Sequence, residues 1–172
     1  TTAIQLARAF GAKVFTTVGS DEKCLKTKIL GAELSINYKK QDFAEEINHY
    51  TNKKGVNMIL DMIGAEYFEK NLNILSINGK LVIIAFQGGF EKKLNLLPIL
   101  IKRLTVTGST LRPRSPNEKG LIAESLFKKV WPLIEKGVVM PQIYGTYKLE
   151  DASKAHTLME SSQHIGKIVL TV

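Results

Sequence analysis

Cysteine is nearly absent from this 172-residue chain: Cys24 is the only one. One thiol cannot close an intrachain disulfide or supply the clustered thiolates of a cysteine-rich zinc site. Arginine is scarce as well; of the 24 Lys and Arg residues only Arg8, Arg103, Arg112 and Arg114 are arginine. The others are lysines scattered along the chain, the pattern of solvated faces rather than of a nucleic-acid reader, which clusters basic residues between aromatics. The formal net charge of +8 therefore predicts no nucleic-acid partner, yet it suits a small anionic ligand. His49, His156 and His164 stand far apart and in no metal-ligand spacing, so no metal is expected from them. No G-x-S-x-G nucleophile elbow occurs, and nothing has the pattern of a hydrolase triad or a general acid–base pair. No apolar run approaches the roughly 20 residues that cross a bilayer, so no membrane partner is expected. No signal-peptide pattern opens the chain, which with the lone cysteine points to a reducing, cytoplasmic setting.

What is present is an ordinary globular balance, 44% hydrophobic and 23% charged residues, arranged as an alternation of helix and strand patterns. Thr2 to Phe10 is amphipathic and predicts a helix stopped by Gly11. Lys13–Val18 predicts a buried strand, Gly19-Ser20-Asp21 a turn and helix N-cap, and Leu34–Asn37 a second strand. Asp42 caps a helix ending near Tyr50, and Val56–Asp61 is a strongly apolar strand. A helix from Glu66 to Leu75 exits through Asn78-Gly79 into the most apolar strand, Lys80–Phe86. A helix near Leu96–Lys102 leads to a further strand, Leu104–Thr110. This alternation predicts an α/β fold, a doubly wound parallel sheet of the Rossmann type with helices on both faces. The character changes at Arg112-Pro-Arg-Ser-Pro116, which sets a boundary between residues 1–111 and 112–172. Beyond it come a long helix to Lys136 interrupted by Pro132, an extended Pro141–Tyr147, a helix Glu150–Glu160 and a closing strand Ile165–Val172. The first helix has no strand before it, so the sheet is expected to lack its first strand and the glycine turn that would hold a pyrophosphate.

The carboxyl ends of the strands carry the residues that point to a ligand. Gly19 and Ser20 end the first visible strand, where such folds meet the adenosine ribose of a dinucleotide. Ser20 can donate its hydroxyl and backbone N–H to a phosphate, and Lys23 adds a positive charge one turn on, which favours NADP. Asp21 and Glu22 pull the other way, because a carboxylate there suits the 2′-hydroxyl of NAD. Gly-Ser-Asp is also an ordinary turn and N-cap. Tyr38 ends the next strand, where it can pack beside an adenine or simply be a half-exposed strand-end tyrosine. Gly64, in Asp61-Met62-Ile63-Gly64, and the run Phe86-Gln87-Gly88-Gly89 allow close approach to the backbone at two further strand ends. Cys24 reads as a packing residue.

The ordered set Ala3-Ile-Gln-Leu-Ala7, Gly19-Ser20-x-x-Lys23, Leu30-Gly31-Ala32, Ile36-Asn37-Tyr38, Gly55-Val56-Asn57, Asp61-x-Ile63-Gly64 and Asn78-Gly79 resembles the quinone oxidoreductase (zeta-crystallin-like) family of medium-chain dehydrogenase/reductases. Lys39-Lys40 after Tyr38, the stretch ending at Arg114, and Ile165–Leu170 are most similar to its tumour-suppressor-inducible subgroup. The resemblance implies a zinc-independent, NADPH-dependent reductase of quinones or related conjugated carbonyls, in which the nicotinamide supplies the hydride. It implies that Gly19, Ser20 and Lys23 hold the 2′-phosphate and Tyr38 contacts the same end. Met62 to Gly64 and Ala85, Phe86, Gln87 and Gly88 would line the cofactor groove, with Ser109, Thr110 and Leu111 near the nicotinamide and Lys167 as a late contact. It implies a homodimer through the edge of strand 104–110, and places residues 112–172 in the C-terminal part of a GroES-like catalytic domain whose other portion lies outside this chain. On that basis the chain alone is expected to be inactive. An enoyl or alkenal reductase, and a fragment that only dimerises or binds nucleotide, are the alternatives; an adenosylmethionine-dependent transferase fits poorly, since it wants an acid where Gly19-Ser20 stand.

Overall fold

Helix and strand alternate along the computed structural model, which describes residues 1–172. The elements are α1 (Thr2–Ala9), β1 (Phe15–Val18), α2 (Asp21–Ile29), β2 (Leu34–Asn37), α3 (Phe43–Tyr50), β3 (Val56–Asp61), α4 (Phe68–Ile74), β4 (Leu75–Ile83), α5 (Leu97–Lys102), β5 (Thr105–Gly108), α6 (Pro116–Lys129), α7 (Trp131–Glu135), β6 (Ile143–Lys148), a 3-10 turn (Leu149–Asp151), α8 (Ala152–Glu160) and β7 (Lys167–Thr171). All strand pairs are parallel, in three sheets ordered β1-β2, β3-β4-β5 and β6-β7. The chain divides into two compact units, Thr1–Lys39 with Gly120–Val172, and Lys40–Lys119.

The unit Lys40–Lys119 is built around Leu72, Leu75, Leu81 and Leu104, with Val56, Ile59, Phe68, Ile83 and Ile99 packed against them. Asp42 starts α3 by accepting from the backbone N–H groups of Ala44 and Glu45 at 2.8 and 3.3 Å. Lys70 donates to the other Asp42 oxygen, and chiefly for that reason the carboxyl is held below the usual carboxylate range. The Lys102 ammonium donates to the carbonyls of Leu72, Asn73 and Leu75 at 3.2, 2.7 and 2.9 Å, satisfying oxygens that α4 leaves open at its end. Its partial burial lowers its pKa from the ordinary lysine value. Asn78-Gly79 is not the exit turn expected from its composition. β4 already begins at Leu75, and the pairing jumps from Val56↔Leu75 to Met58↔Lys80. The segment Ser76–Gly79, with Asn78 at φ 61, is therefore a bulge inside the strand. β4 also stops at Ile83, three residues short of the expected end.

In the other unit, Pro132 divides the expected long helix into α6 and α7, with Val130 at φ −107 between them. The start of α6, which belongs to the unit Lys40–Lys119, is a capping box not anticipated from sequence: Ser115 Oγ donates to Glu118 at 2.8 Å and the Ser115 N–H does so at 2.9 Å. Gln5, nearly buried on α1, donates to the Met140 carbonyl and accepts from its N–H, both at 2.9 Å. Replacing Gln5 by Ala leaves the Met140 N–H unpaired, while the Met140 carbonyl keeps the Gln142 amide at 3.1 Å. We expect Gln5→Ala to lower unfolding stability by about 1–2 kcal/mol in urea denaturation, and a change within error would show that water pairs the N–H instead.

Candidate functional site

β1 and β2 end side by side in register, Val18 opposite Asn37, and the Tyr38 N–H continues the ladder onto the Val18 carbonyl at 3.1 Å. This carries Tyr38 to the tip of β1, over Gly19. A Cβ at Gly19 would lie 2.8 Å from the Tyr38 hydroxyl oxygen and 3.6 Å from Cε of Lys39, so the glycine is what lets the phenol close down. Ser20 caps α2 by accepting from the Lys23 N–H at 3.2 Å, which leaves its own O–H free to donate. Asp21 is engaged by the Asn37 amide, which donates to Oδ1 at 2.7 Å. Beneath the first turn of α2 runs a chain of hydroxyls: Thr16 donates to Ser35 at 3.1 Å, Ser35 and Thr27 are 2.7 Å apart, and Thr27 donates to the Lys23 carbonyl at 2.9 Å. The Lys23 ammonium donates to the Ser162 carbonyl. Four of the residues picked from sequence, Gly19, Ser20, Lys23 and Tyr38, are thus brought together, with Lys39 beside them. Lys167 opens β7 and donates its N–H to the Gln142 carbonyl at 2.7 Å. At the start of α1, burial first, and then the Lys167 charge, lower the pKa of the Thr1 amino group.

In the unit Lys40–Lys119 the tips of β3, β4 and β5 are neighbours because the strands are. Beyond the strands the two loops zip together: Ile84 N–H to the Asp61 carbonyl at 2.8 Å, Gln87 to Met62 at 3.0 Å, Gly88 to Ile63 at 2.7 Å and Ala65 to Gly89 at 2.8 Å. Gly64 sits at φ +85, and a Cβ there would lie 2.6 Å from the Phe86 ring and 2.7 Å from the Gly89 carbonyl. A Cβ on Gly88 would meet Ile63 at 2.6 Å. Ser109 donates its N–H to the Ile83 carbonyl at 2.9 Å, and the Thr110 carbonyl accepts from Arg114 Nε at 2.9 Å. Met62, Gly64, Ala85, Phe86, Gln87, Gly88 and Ser109 through Leu111 therefore form one continuous edge, with Met62, Phe86 and Leu111 about half exposed on it.

Residues 1–128 match the zinc-binding dehydrogenase family. The chain belongs to that family. Quinone oxidoreductases are among the proteins it is similar to. It is 31% identical over 167 residues to quinone oxidoreductase of Rattus norvegicus, covering 96% of this chain and 49% of the relative. It is 32% identical over 166 residues to 2-haloacrylate reductase of a Burkholderia species, covering 95% of this chain and 49% of the relative. The crystal structure of Escherichia coli quinone oxidoreductase complexed with NADPH superposes with a TM-score of 0.82 at 30% identity, over 99% of this chain and 53% of that one. The chain thus spans about half the length of these relatives.

The zinc-binding dehydrogenase family is named for a metal, but no three His, Cys, Asp or Glu side chains converge in this member, so these residues do not fit a zinc ion. A phosphate-bearing nucleotide fits better. The Gly19 cradle, the Ser20 O–H and the lysines around it are donors that suit a phosphate, with the Asp21 and Glu22 carboxylates in the same helix turn working against it. Two organising residues were missed as site residues in the sequence. Asn37 is buried, bonding Asp21 and accepting from the Lys39 N–H at 3.2 Å. Asp61 is buried at 4% exposure, and accepts from the N–H groups of Ile63 and Gly64 at 2.8 and 3.1 Å. A polar residue closing an apolar strand was the available signal for each. Asp61→Ala leaves two amides of the zipped loop unpaired, at a cost of about 1–3 kcal/mol. Amide hydrogen exchange at Ile63, Gly64 and Gly88 is expected to speed up at least tenfold while Leu81 is unchanged; uniform acceleration would show that the loss is global.

Proposed function

We propose that this chain is the coenzyme-binding part of an NADPH-dependent reductase, and that the intact protein reduces quinones or related conjugated carbonyls. The observation that carries this is the cluster of Ser20, Lys23, Tyr38 and Lys39 around Gly19 at a parallel-strand tip, where a dinucleotide fold places its adenosine ribose. When bound, the nicotinamide supplies the hydride. Ser20 and Lys23 hold the 2′-phosphate, and Tyr38 lies against the same end. Oδ1 of Asp21 accepts from Asn37, which takes up part of the carboxylate's capacity for a ribose hydroxyl. Met62–Gly64 and Ala85–Gly88 present backbone and half-exposed side chains along the groove, with Ser109–Leu111 toward the nicotinamide and Lys167 as a looser contact. No side chain of this chain is assigned a proton transfer.

Residues 1–111 form the cofactor domain in this proposal, and 112–172 are the C-terminal part of the catalytic domain. The chain alone is then inactive, and the protein works in the cytoplasm. Every residue of β5 is exposed and its outer edge has no partner strand, which supports a homodimer built across that edge. The likeness to 2-haloacrylate reductase supports a second reading, reduction of an activated carbon–carbon double bond with the same cofactor.

Titrating NADPH and NADH by calorimetry tests the cofactor assignment. NADPH is expected to bind at least tenfold tighter, and Lys23→Ala to weaken NADPH by about tenfold, the worth of one charged hydrogen bond, while leaving NADH alone. Equal affinities, untouched by Lys23→Ala, would overturn it.

A further inference from the structure

Lys23 is fixed at three points. Its N–H is held by Ser20, its carbonyl by Thr27, and its ammonium by the backbone carbonyl of Ser162. The third contact is unusual because it crosses from the first turn of α2 to the turn that follows α8. That turn is itself well defined. The Ser161 N–H reaches the Thr157 carbonyl and the Ser162 N–H the Met159 carbonyl, both at 3.1 Å, while Ser161 Oγ donates to Leu158 at 2.7 Å and accepts from the Gln163 N–H at 3.3 Å. Ser162 sits in the left-handed region at φ 54, the position after a helix where glycine is usual. Its backbone conformation sets where its carbonyl points, and that carbonyl lies at the negative end of α8, where an ammonium is attracted.

A free lysine side chain loses much rotamer freedom when it clamps a phosphate. The contact with Ser162 takes up part of that freedom beforehand. One of the three Lys23 ammonium protons is on Ser162, and two remain for an anion. We propose that the α8–β7 turn is a positioning element for the cofactor. The left-handed Ser162 carbonyl holds the Lys23 ammonium ready for a ribose 2′-phosphate, so the turn sets the preference for a phosphorylated over an unphosphorylated adenosine. This rests on the assignment of Lys23 to the 2′-phosphate. Ser162 is a positioning residue here, since it acts only through Lys23.

The test uses adenosine 2′,5′-bisphosphate and AMP as probes, titrated calorimetrically against the chain as it is. Substitutions at Ser162 grade the backbone rather than the side chain: glycine accepts φ 54 freely, alanine with mild strain, and valine hardly at all. Ser162→Gly is expected to keep the preference for the bisphosphate. Ser162→Val is expected to narrow it by about fivefold through lost ordering of one long side chain, with AMP affinity unmoved. If Ser162→Val does not fold, Ser162→Ala against Ser162→Gly gives the same comparison in smaller steps. In a Lys23→Ala background the Ser162 substitutions are expected to change nothing further. A Ser162→Val preference equal to the unsubstituted chain's, with Lys23→Ala still abolishing it, would overturn the positioning role and leave the cofactor assignment standing. No effect of Lys23→Ala, or no binding of either probe, would overturn both.

Discussion

The turn proposed to hold the adenosine end of the cofactor depends on the hydroxyl chain from Thr16 through Ser35 and Thr27 to the Lys23 carbonyl. A helix start beside a strand tip can bind an anion only if the helix is held still, and neither β1 nor β2 is long enough to do that by ladder bonds alone. The chain replaces apolar packing under the first turn of α2 with a satisfied polar layer, in which Thr27 is buried and Ser35 nearly so. Directionality is the gain. A hydrogen-bonded contact fixes the rotation of α2 about its axis, which apolar packing leaves looser, and that rotation decides where Ser20 and Lys23 face.

The same device recurs at the strand tips of the unit Lys40–Lys119 with different parts. Asp61 ends β3 inside the fold and turns its carboxylate onto two following amides, so the loop after β3 has a fixed shape to which the loop after β4 zips. Gly64 and Gly88 make the zip possible, since a Cβ at either would run into Phe86 or Ile63. In both places a buried polar residue at a strand tip shapes backbone, and a glycine lets a second segment close over it. Such sites suit a cofactor that does its own chemistry: the protein has to hold it, and no titrating side chain is required.

Much of this was readable in the amino-acid order. The bounds of β2 and β3 agree with the runs that predicted them, because short apolar β-branched runs between turn residues have few alternatives. Asp42 was recognised as a cap and Gly19-Ser20-Asp21 as a turn and N-cap, because a side-chain oxygen just before a helix readily takes its first open N–H groups. Asn78-Gly79 misled, since turn chemistry also serves a bulge, and only the partner strand β3 decides between them. Lys23 was found, but its tie to Ser162 was not: the two lie 139 positions apart, and a backbone carbonyl leaves no mark in sequence. Gln5 and Met140 escaped notice for the same reason.

The central claim is that the tips of β1 and β2 recognise the phosphorylated ribose. The most direct measurement is the map of backbone amide shifts in a nitrogen-15-labelled chain as adenosine 2′,5′-bisphosphate is added. The account predicts that the largest shifts fall on Gly19, Ser20, Lys23, Tyr38 and Lys39, and that AMP moves them much less. Shifts spread over the scattered surface lysines, or equal for the two ligands, would contradict it.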